Sequence, residues 1–547
     1  MRLLPIGAAL LTALLYANSL DAEWTFDDHA AVVSNPDVMS RPLGSLGLFR
    51  NDFWGTPLST TTSHQSFRPL ATLSFRANAV LGGKAAGRHW HLASVAVHAL
   101  ACSLYAIAAR CVVFGGEPRL QRHVAAAALA FAVHPVHVEA VASIVGRADV
   151  LAGVFFLLVL LCHHRAALPA ATPCRSAAWI AAAVVLALAA LLCKETGVTA
   201  LGVCTALELA RWVVPRRVAA PRSLARALAL ALALAVLCAA RLALSGGHAP
   251  TFSAAQNPAA YAPRRATRVM SRLHIWALTA RQLFAPPFLC ADWSMGGVAL
   301  VTSWRDPRNA ALLALALAAA CAARALWRPG GRERASLCAA LALLVIPFAP
   351  SANVLVDVGF VVAERVLYIP SMGACALLPL LADAAADALA SLAARAAPPP
   401  PPPPTTTTTA ATARRRPRLQ RALWIAIVLS FVARSAYQTV VRNPEWKSDE
   451  ALARSGAIAL PSNAKLSYNL AVCLTQRSTP ERDAAALRAY EAALAAQPDY
   501  AAAYLGASRL YDEAGRADAA ERALRAALRY DDVWSHDGSR DVHGALI

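Results

Sequence analysis

Apolar stretches of about 17–25 residues recur along most of this chain, the length that spans a bilayer as a helix. The first runs from Leu3 to Leu20 after a single Arg2. Ala17-Asn18-Ser19 has the small residues of a cleavage site, but a retained helix is the preferred reading. A polar loop, about Asp21 to His91, follows. Further apolar segments lie at about 92–114, 123–145, 149–164, 177–193, 195–214 and 224–245. The stretch 246–308 is less apolar, with one ambiguous segment at 268–290. Spans at 309–327, 335–352, 363–384 and Leu419–Val441 complete the pattern. Between the last two sits a low-complexity linker, 396–417, whose Pro398–Pro404 and Thr405–Thr409 runs predict extended, disordered chain.

Basic clusters decide how the segments thread. Arg119/Arg122, His163–Arg165 with Arg175, Arg211–Arg226, Arg328–Arg334 and Arg414–Arg421 all lie in short loops. By the positive-inside rule they face the cytosol. The last two clusters do so only if 268–290 does not fully cross. It is therefore read as re-entrant or interfacial, and 246–308 lies wholly on the luminal side. The result is an all-α bundle of about eleven spans over 1–441. The first luminal loop covers 21–91, and the C-terminal region is luminal.

That C-terminal region repeats. Asn463–Pro498 and Ala501–Asp532 each predict a helix pair, with a period near 34 residues. In the second pair, Tyr504, Ser508, Tyr511, Gly515, Ala520, Leu524 and Ala527 occupy the small and bulky positions of a tetratricopeptide (TPR) repeat. Leu470, Ala471, Ala486, Tyr490, Ala493 and Pro498 match in the first. The repeat segment is thus 445–532, with a non-repeat tail at 533–547.

Composition narrows the class further. The 547 residues are 57% hydrophobic and only 16% charged, where a soluble protein carries about 25% charge. The net charge of +19 comes almost entirely from Arg in short loops, not from a basic soluble face with aromatic platforms. No nucleic-acid partner is expected. The twelve Cys form no CxxC pair, so neither a zinc site nor a disulfide framework is predicted.

Six polar motifs fall at the luminal face under this threading. They are Asp27-Asp28, the Ser63–Arg68 stretch, His134-Pro-Val-His137-Val-Glu139, Gly146-Arg147-Ala-Asp149, Lys194-Glu195 and Glu364-Arg365. Ionisable residues at membrane depth are costly and functional by default. Internal salt bridges that merely join helices explain any one pair, but they explain the one-sidedness poorly. Asp27 or Asp28 is suited to act as a general base. His134 and His137 have a spacing that a metal could use. However, Pro135 and the absence of a third His point to a helix break, and no metal is expected.

Together these motifs resemble the transmembrane and TPR-repeat-containing (TMTC) family. The matching runs are FDDHAAVVSNPDV from Phe26, DFWG from Asp52, SHQSFRPLATLSFR from Ser63 and HPVHVEAVASIVGRADVLAG from His134. CKETGVTALGV from Cys193, NPAAY from Asn257, LCADWSMG from Leu289 and AERVLYIPSMG from Ala363 complete the series. The resemblance covers about residues 15 to 530. It implies an ER protein O-mannosyltransferase of GT-C type, with dolichyl-phosphate mannose as donor substrate and no cofactor. Acceptors would be secretory proteins with β-sandwich domains such as cadherin repeats. The family's acidic motif in the first luminal loop maps onto Asp27 and Asp28. A cation beside the leaving phosphate would come from Arg68, Arg147, Lys194 or Arg365. Arg365 is preferred because a guanidinium grips phosphate through two bonds. His134, His137, Glu139, Asp149, Glu195 and Glu364 would be polar support. The family resemblance includes a long repeat array, whereas two repeats are legible here, as in an isoform or an incomplete gene model. The chief alternative is a membrane scaffold that binds partners through its repeats. A transporter is a third reading, and no inverted repeat favours it.

Overall fold

The computed structural model describes residues 2–213, 220–246, 252–327, 332–396 and 408–534. Among these residues the chain is helical, with no named strand. It begins with α1 (Leu4–Leu15), passes through a loop with short helical turns, and continues in α2 (Pro69–Gly82) and α3 (Arg88–Ala108). Next come α4 (Gln121–Ala132), α5 (His137–Ala142), α6 (Arg147–Ala166), α7 (Pro173–Cys193), α8 (Thr199–Val213) and α9 (Ala220–Leu244). α10 (Arg265–Phe284), α11 (Ala310–Trp327), α12 (Arg332–Phe348), α13 (Ser371–Ala396) and α14 (Thr408–Arg442) complete the bundle.

Among the described residues eight helices are long and apolar enough to cross a bilayer: α3, α6, α7, α9 and α11 to α14. The other three segments expected to span are shorter as helices. α1 and α4 have 12 residues each and α8 has 15, a rise of about 18–23 Å against a hydrocarbon core of about 30 Å. The expected span 123–145 breaks after Ala132 because Pro135 has no N–H to donate and keeps His134 from the helical conformation. The expected span 363–384 begins only at Ser371, just after Pro370. Glu364 and Arg365 therefore lie in a loop, with Arg365–Leu367 forming a short 3-10 turn. Residues 397–407, with the proline run, lie outside the described residues, as does most of the 533–547 tail. α14 begins at Thr408, so the end of the linker is helical instead of extended. The Ala and Arg that follow favour this.

Tyr105, Phe131, Phe156, Tyr368 and Met372 belong to one buried cluster that joins α3, α4, α6 and α13. α6 is the most enclosed span, with 72% of its apolar window buried, while none of the α11 window is. Small residues permit the closest approaches. A Cβ on Gly373 would come within 2.5 Å of the Leu344 and Ala340 backbone, so α12 and α13 meet there only because it is glycine.

Beyond α14, α15 (Asp449–Ala459) leads into two helix pairs. These are α16 (Ala464–Thr475) with α17 (Pro480–Ala496), and α18 (Ala501–Glu513) with α19 (Ala517–Trp534). The Ser448, Asn463 and Thr479 side chains cap α15, α16 and α17 by accepting backbone N–H bonds, which fixes where each helix starts. Ala471, Ala486, Tyr490 and Ala493 of the first pair are buried in one cluster with Ala503, Ala507 and Leu510 of α18.

Candidate active site

The chain leaving α1 turns at Thr25–Asp28, where the Asp28 N–H donates to Thr25 O at 3.0 Å. Phe26 takes a left-handed backbone with φ of +54°. This turn sends two consecutive carboxylates in opposite directions. Asp28 is fully buried. It accepts from the N–H groups of Thr25 (3.3 Å), Ile144 (3.3 Å) and Val145 (2.9 Å) and from the Ser143 hydroxyl (3.1 Å). Burial raises its pKa to about 6, and the four hydrogen bonds only partly offset that. Gly146 makes the tight turn beneath it possible, because a Cβ there would lie 2.6 Å from the Ala140 backbone. The Asp27 side chain stays 21% exposed and meets Arg365 Nη1 at 2.7 Å.

Arg365 is the centre of the arrangement. Its Nε lies 3.5 Å from Glu139 Oε1, and its backbone N–H donates to Glu139 Oε2 at 2.9 Å. Its side chain remains 26% exposed. Asp149, in the first turn of α6, pairs with Lys194 at 2.5 Å. Glu195 holds Arg68 at 2.9 Å and Arg241 at 3.3 Å. The carboxylates acting most strongly on Arg365 are Asp27, Glu139 and Asp149, in that order. Lys194 in turn feels Asp149, Arg68 and Arg365. One charged cluster therefore gathers Asp27, Arg68, Glu139, Asp149, Lys194, Glu195 and Arg365 from six separate motifs.

Other predicted site residues stand apart from it. Arg147 is buried, with Nε donating to Ser94 Oγ at 3.0 Å and Nη2 to Trp90 O at 2.7 Å. Its guanidinium lies over Phe75 and Trp90, so it braces α3 against α6 from a buried position. His134 bonds Leu283 O through Nε2 at 2.8 Å, and His137 bonds Ser371 Oγ at 2.8 Å. Both histidines tie down the break between α4 and α5. Glu364 turns away from its neighbour, accepting from the Cys290 N–H at 2.6 Å and pairing with Arg442 at 3.2 Å. Sequence reasoning passed over Arg241, Arg442 and Asp449. The first was legible as a lone cation near the end of an apolar helix. The other two gave no local signal.

A family model described as "Protein O-mannosyl-transferase TMTC, DUF1736" matches residues 246–320, and a tetratricopeptide repeat model matches 483–536. The human protein O-mannosyl-transferase TMTC4 is 33% identical over 510 residues, covering 87% of this chain and 64% of the relative. Mouse TMTC3 is 32% identical over 539 residues, covering 94% and 54%. The chain thus spans between about half and two thirds of the length of these relatives. The crystal structure of ArnT from Cupriavidus metallidurans bound to undecaprenyl phosphate overlaps with a TM-score of 0.37 at 16% identity, covering 88% of this chain and 81% of that one. That overlap is too loose to carry an argument. The chain is a multi-pass membrane protein related to the TMTC proteins over most of its length, and it carries TPR repeats in its C-terminal region.

Proposed function

We propose that this relative of the TMTC proteins transfers mannose from dolichyl-phosphate mannose to Ser or Thr hydroxyls of secretory proteins. Its charged cluster and repeats face the ER lumen. The observation that carries the reading is the Asp27–Arg365 pair, an accessible carboxylate held against an accessible guanidinium. In an inverting step the acceptor oxygen bonds to the anomeric carbon of mannose, and the hydroxyl proton passes to Asp27. The bond from that carbon to the phosphate oxygen breaks, and dolichyl phosphate departs. Arg365 grips the departing phosphate with its two-pronged fork, and Lys194 and Arg68 add positive potential behind it.

The same pair explains why the base is held in check. Without donor, Arg365 neutralises Asp27. A donor phosphate competes for the fork and frees the carboxylate to accept a proton. Of the two carboxylates, Asp27 suits the role and Asp28 does not, because four donors already occupy Asp28. Acceptors with extracellular β-sandwich domains, such as cadherin repeats, fit the family resemblance.

The test uses membranes from cells that lack their own O-mannosyltransferases of this family, with this chain restored. Labelled mannose should pass from dolichyl-phosphate mannose into a cadherin-repeat acceptor only when the chain is present. No incorporation at normal membrane levels of the protein would overturn the reading.

A further inference from the structure

The junction between α14 and the repeats contacts the sequence neighbours of both halves of the reactive pair. Asp449, in the first turn of α15, accepts the Phe26 N–H on Oδ1 at 2.8 Å and meets His29 Nε2 on Oδ2 at 2.8 Å. One carboxylate thus brackets Asp27 and Asp28 from both sides. The Glu23 N–H donates to Lys447 O at 2.9 Å, which adds a third tie to the same loop. At the last residue of α14, Arg442 is buried, pairs with Glu364 at 3.2 Å and donates to Leu289 O at 3.2 Å. Glu364 directly precedes Arg365. Residues 442–449 therefore hold the immediate neighbours of two groups that are 338 residues apart in sequence.

The junction is itself anchored. On α16, Lys465 pairs with Asp292 at 2.9 Å, and its ammonium lies 5.9 Å from the centre of the Phe26 ring. The Ala464 N–H donates to Met295 O at 3.1 Å, and Asn463 Nδ2 to Asp292 O at 3.0 Å.

We propose that this junction positions the reactive pair, with Asp449 and Arg442 as positioning residues for Asp27 and Arg365. The left-handed backbone of Phe26 is the mechanical reason. A residue with a Cβ keeps such a conformation only where its surroundings over-determine it. Here the Asp449 carboxylate on the Phe26 N–H supplies that constraint. Without it Phe26 relaxes toward negative φ, and the next residue, Asp27, swings off Arg365. The inference rests on the mannosyl-transfer reading for its kinetic consequence, but not for its structural one.

The experiment therefore reads both consequences on the full chain in detergent and in membranes. Asp449→Ala should lower kcat about tenfold, with the KM for dolichyl-phosphate mannose unchanged. Hydrogen exchange in the peptide 23–34 should quicken about tenfold, the scale of one charge-assisted hydrogen bond. Asp449→Asn keeps an oxygen that can accept the Phe26 N–H, so it should restore most of both. Wild-type exchange and wild-type kcat in Asp449→Ala overturn the proposal. Equal losses in the Ala and Asn variants with unchanged exchange also overturn it. If the wild-type chain transfers no mannose, the exchange pattern still decides whether the junction holds the loop, and only the functional reading fails.

Discussion

α6 carries Asp149 in its first turn and His163 in its last, about 21 Å apart along the helix axis. At the His163 end, Glu208 is fully buried and accepts from His163 (2.8 Å), Arg211 (2.8 Å), Arg226 (2.9 Å) and the Ser223 hydroxyl. Both of its oxygens are engaged by more than one donor, and the side chain has no exposed surface. At the Asp149 end, four carboxylates face four cations; Asp149 and Lys194 are closely paired and buried, but Asp27 and Arg365 are less saturated. Asp27 has Arg365 as its only described ionic partner, and Arg365 divides itself between Asp27 and Glu139. Both remain part-exposed. The difference shows that the number of charges at membrane depth does not separate a site from a brace. Saturation and access do. A saturated buried carboxylate has no lone pair left for a substrate proton, whereas a part-exposed one can exchange its partner for a ligand.

The sharpest way to break this comparison is to remove Asp27, the carboxylate proposed as proton acceptor, at the open end. Asp27→Asn keeps the shape and should lower mannose transfer by about 10²–10⁴-fold, the usual contribution of a general base. The amount of protein in the membrane should stay the same, since the carboxylate is part-exposed and caps no helix. Near wild-type transfer, normalised to membrane protein, would take Asp27 out of the mechanism. Arg365→Ala should cost about 10²–10³-fold. Arg365→Lys should recover only part of it, because an ammonium is a point charge without the fork. Full recovery by Lys would mean that charge alone matters there.

The closed end should respond in the opposite currency. Glu208→Ala strands His163, Arg211 and Arg226 without their shared acceptor, and breaking a buried pair costs about 3–5 kcal/mol. Thermal unfolding in detergent should drop sharply and yield should fall. Transfer per surviving molecule should hold, and a selective loss of transfer at normal stability would erase the contrast. The smallest effect concerns Asp28, whose pKa burial raises from 3.8 to about 6. The folded state then binds the proton more tightly than the unfolded one. This contribution to stability is fully present below 3.8 and is lost as pH rises through about 6. Asp28→Asn should flatten the melting temperature over that window, and an unchanged slope would assign it to other groups.

Much of this protein was legible in its sequence because the signals are local. Hydropathy over a window of about 18–20 residues marks apolar helices, and a 34-residue period marks the repeats. The motifs holding Asp27, Arg68, Glu139, Asp149, Lys194 and Arg365 were also visible one by one, as polar residues where apolar ones were due. Helix ends were less legible. The break after Ala132 and the late start of α13 depend on Pro135 and Pro370, and a smooth hydropathy profile averages over them.

The tertiary structure alone decided which members of those motifs are free to act. Asp27 and Asp28 are chemically identical and adjacent, and only the 143–145 turn, which occupies Asp28 with three donors, tells them apart. Arg147 and Arg365 read alike until Trp90 and Ser94 engage the first. Arg442 and Asp449 announce nothing, because their partners lie at Glu364 and Phe26. Sequence fixes the chemistry each residue carries. Whether that chemistry is spent on the fold or left open depends on partners from about fifty to several hundred residues away, whose approach no local pattern records.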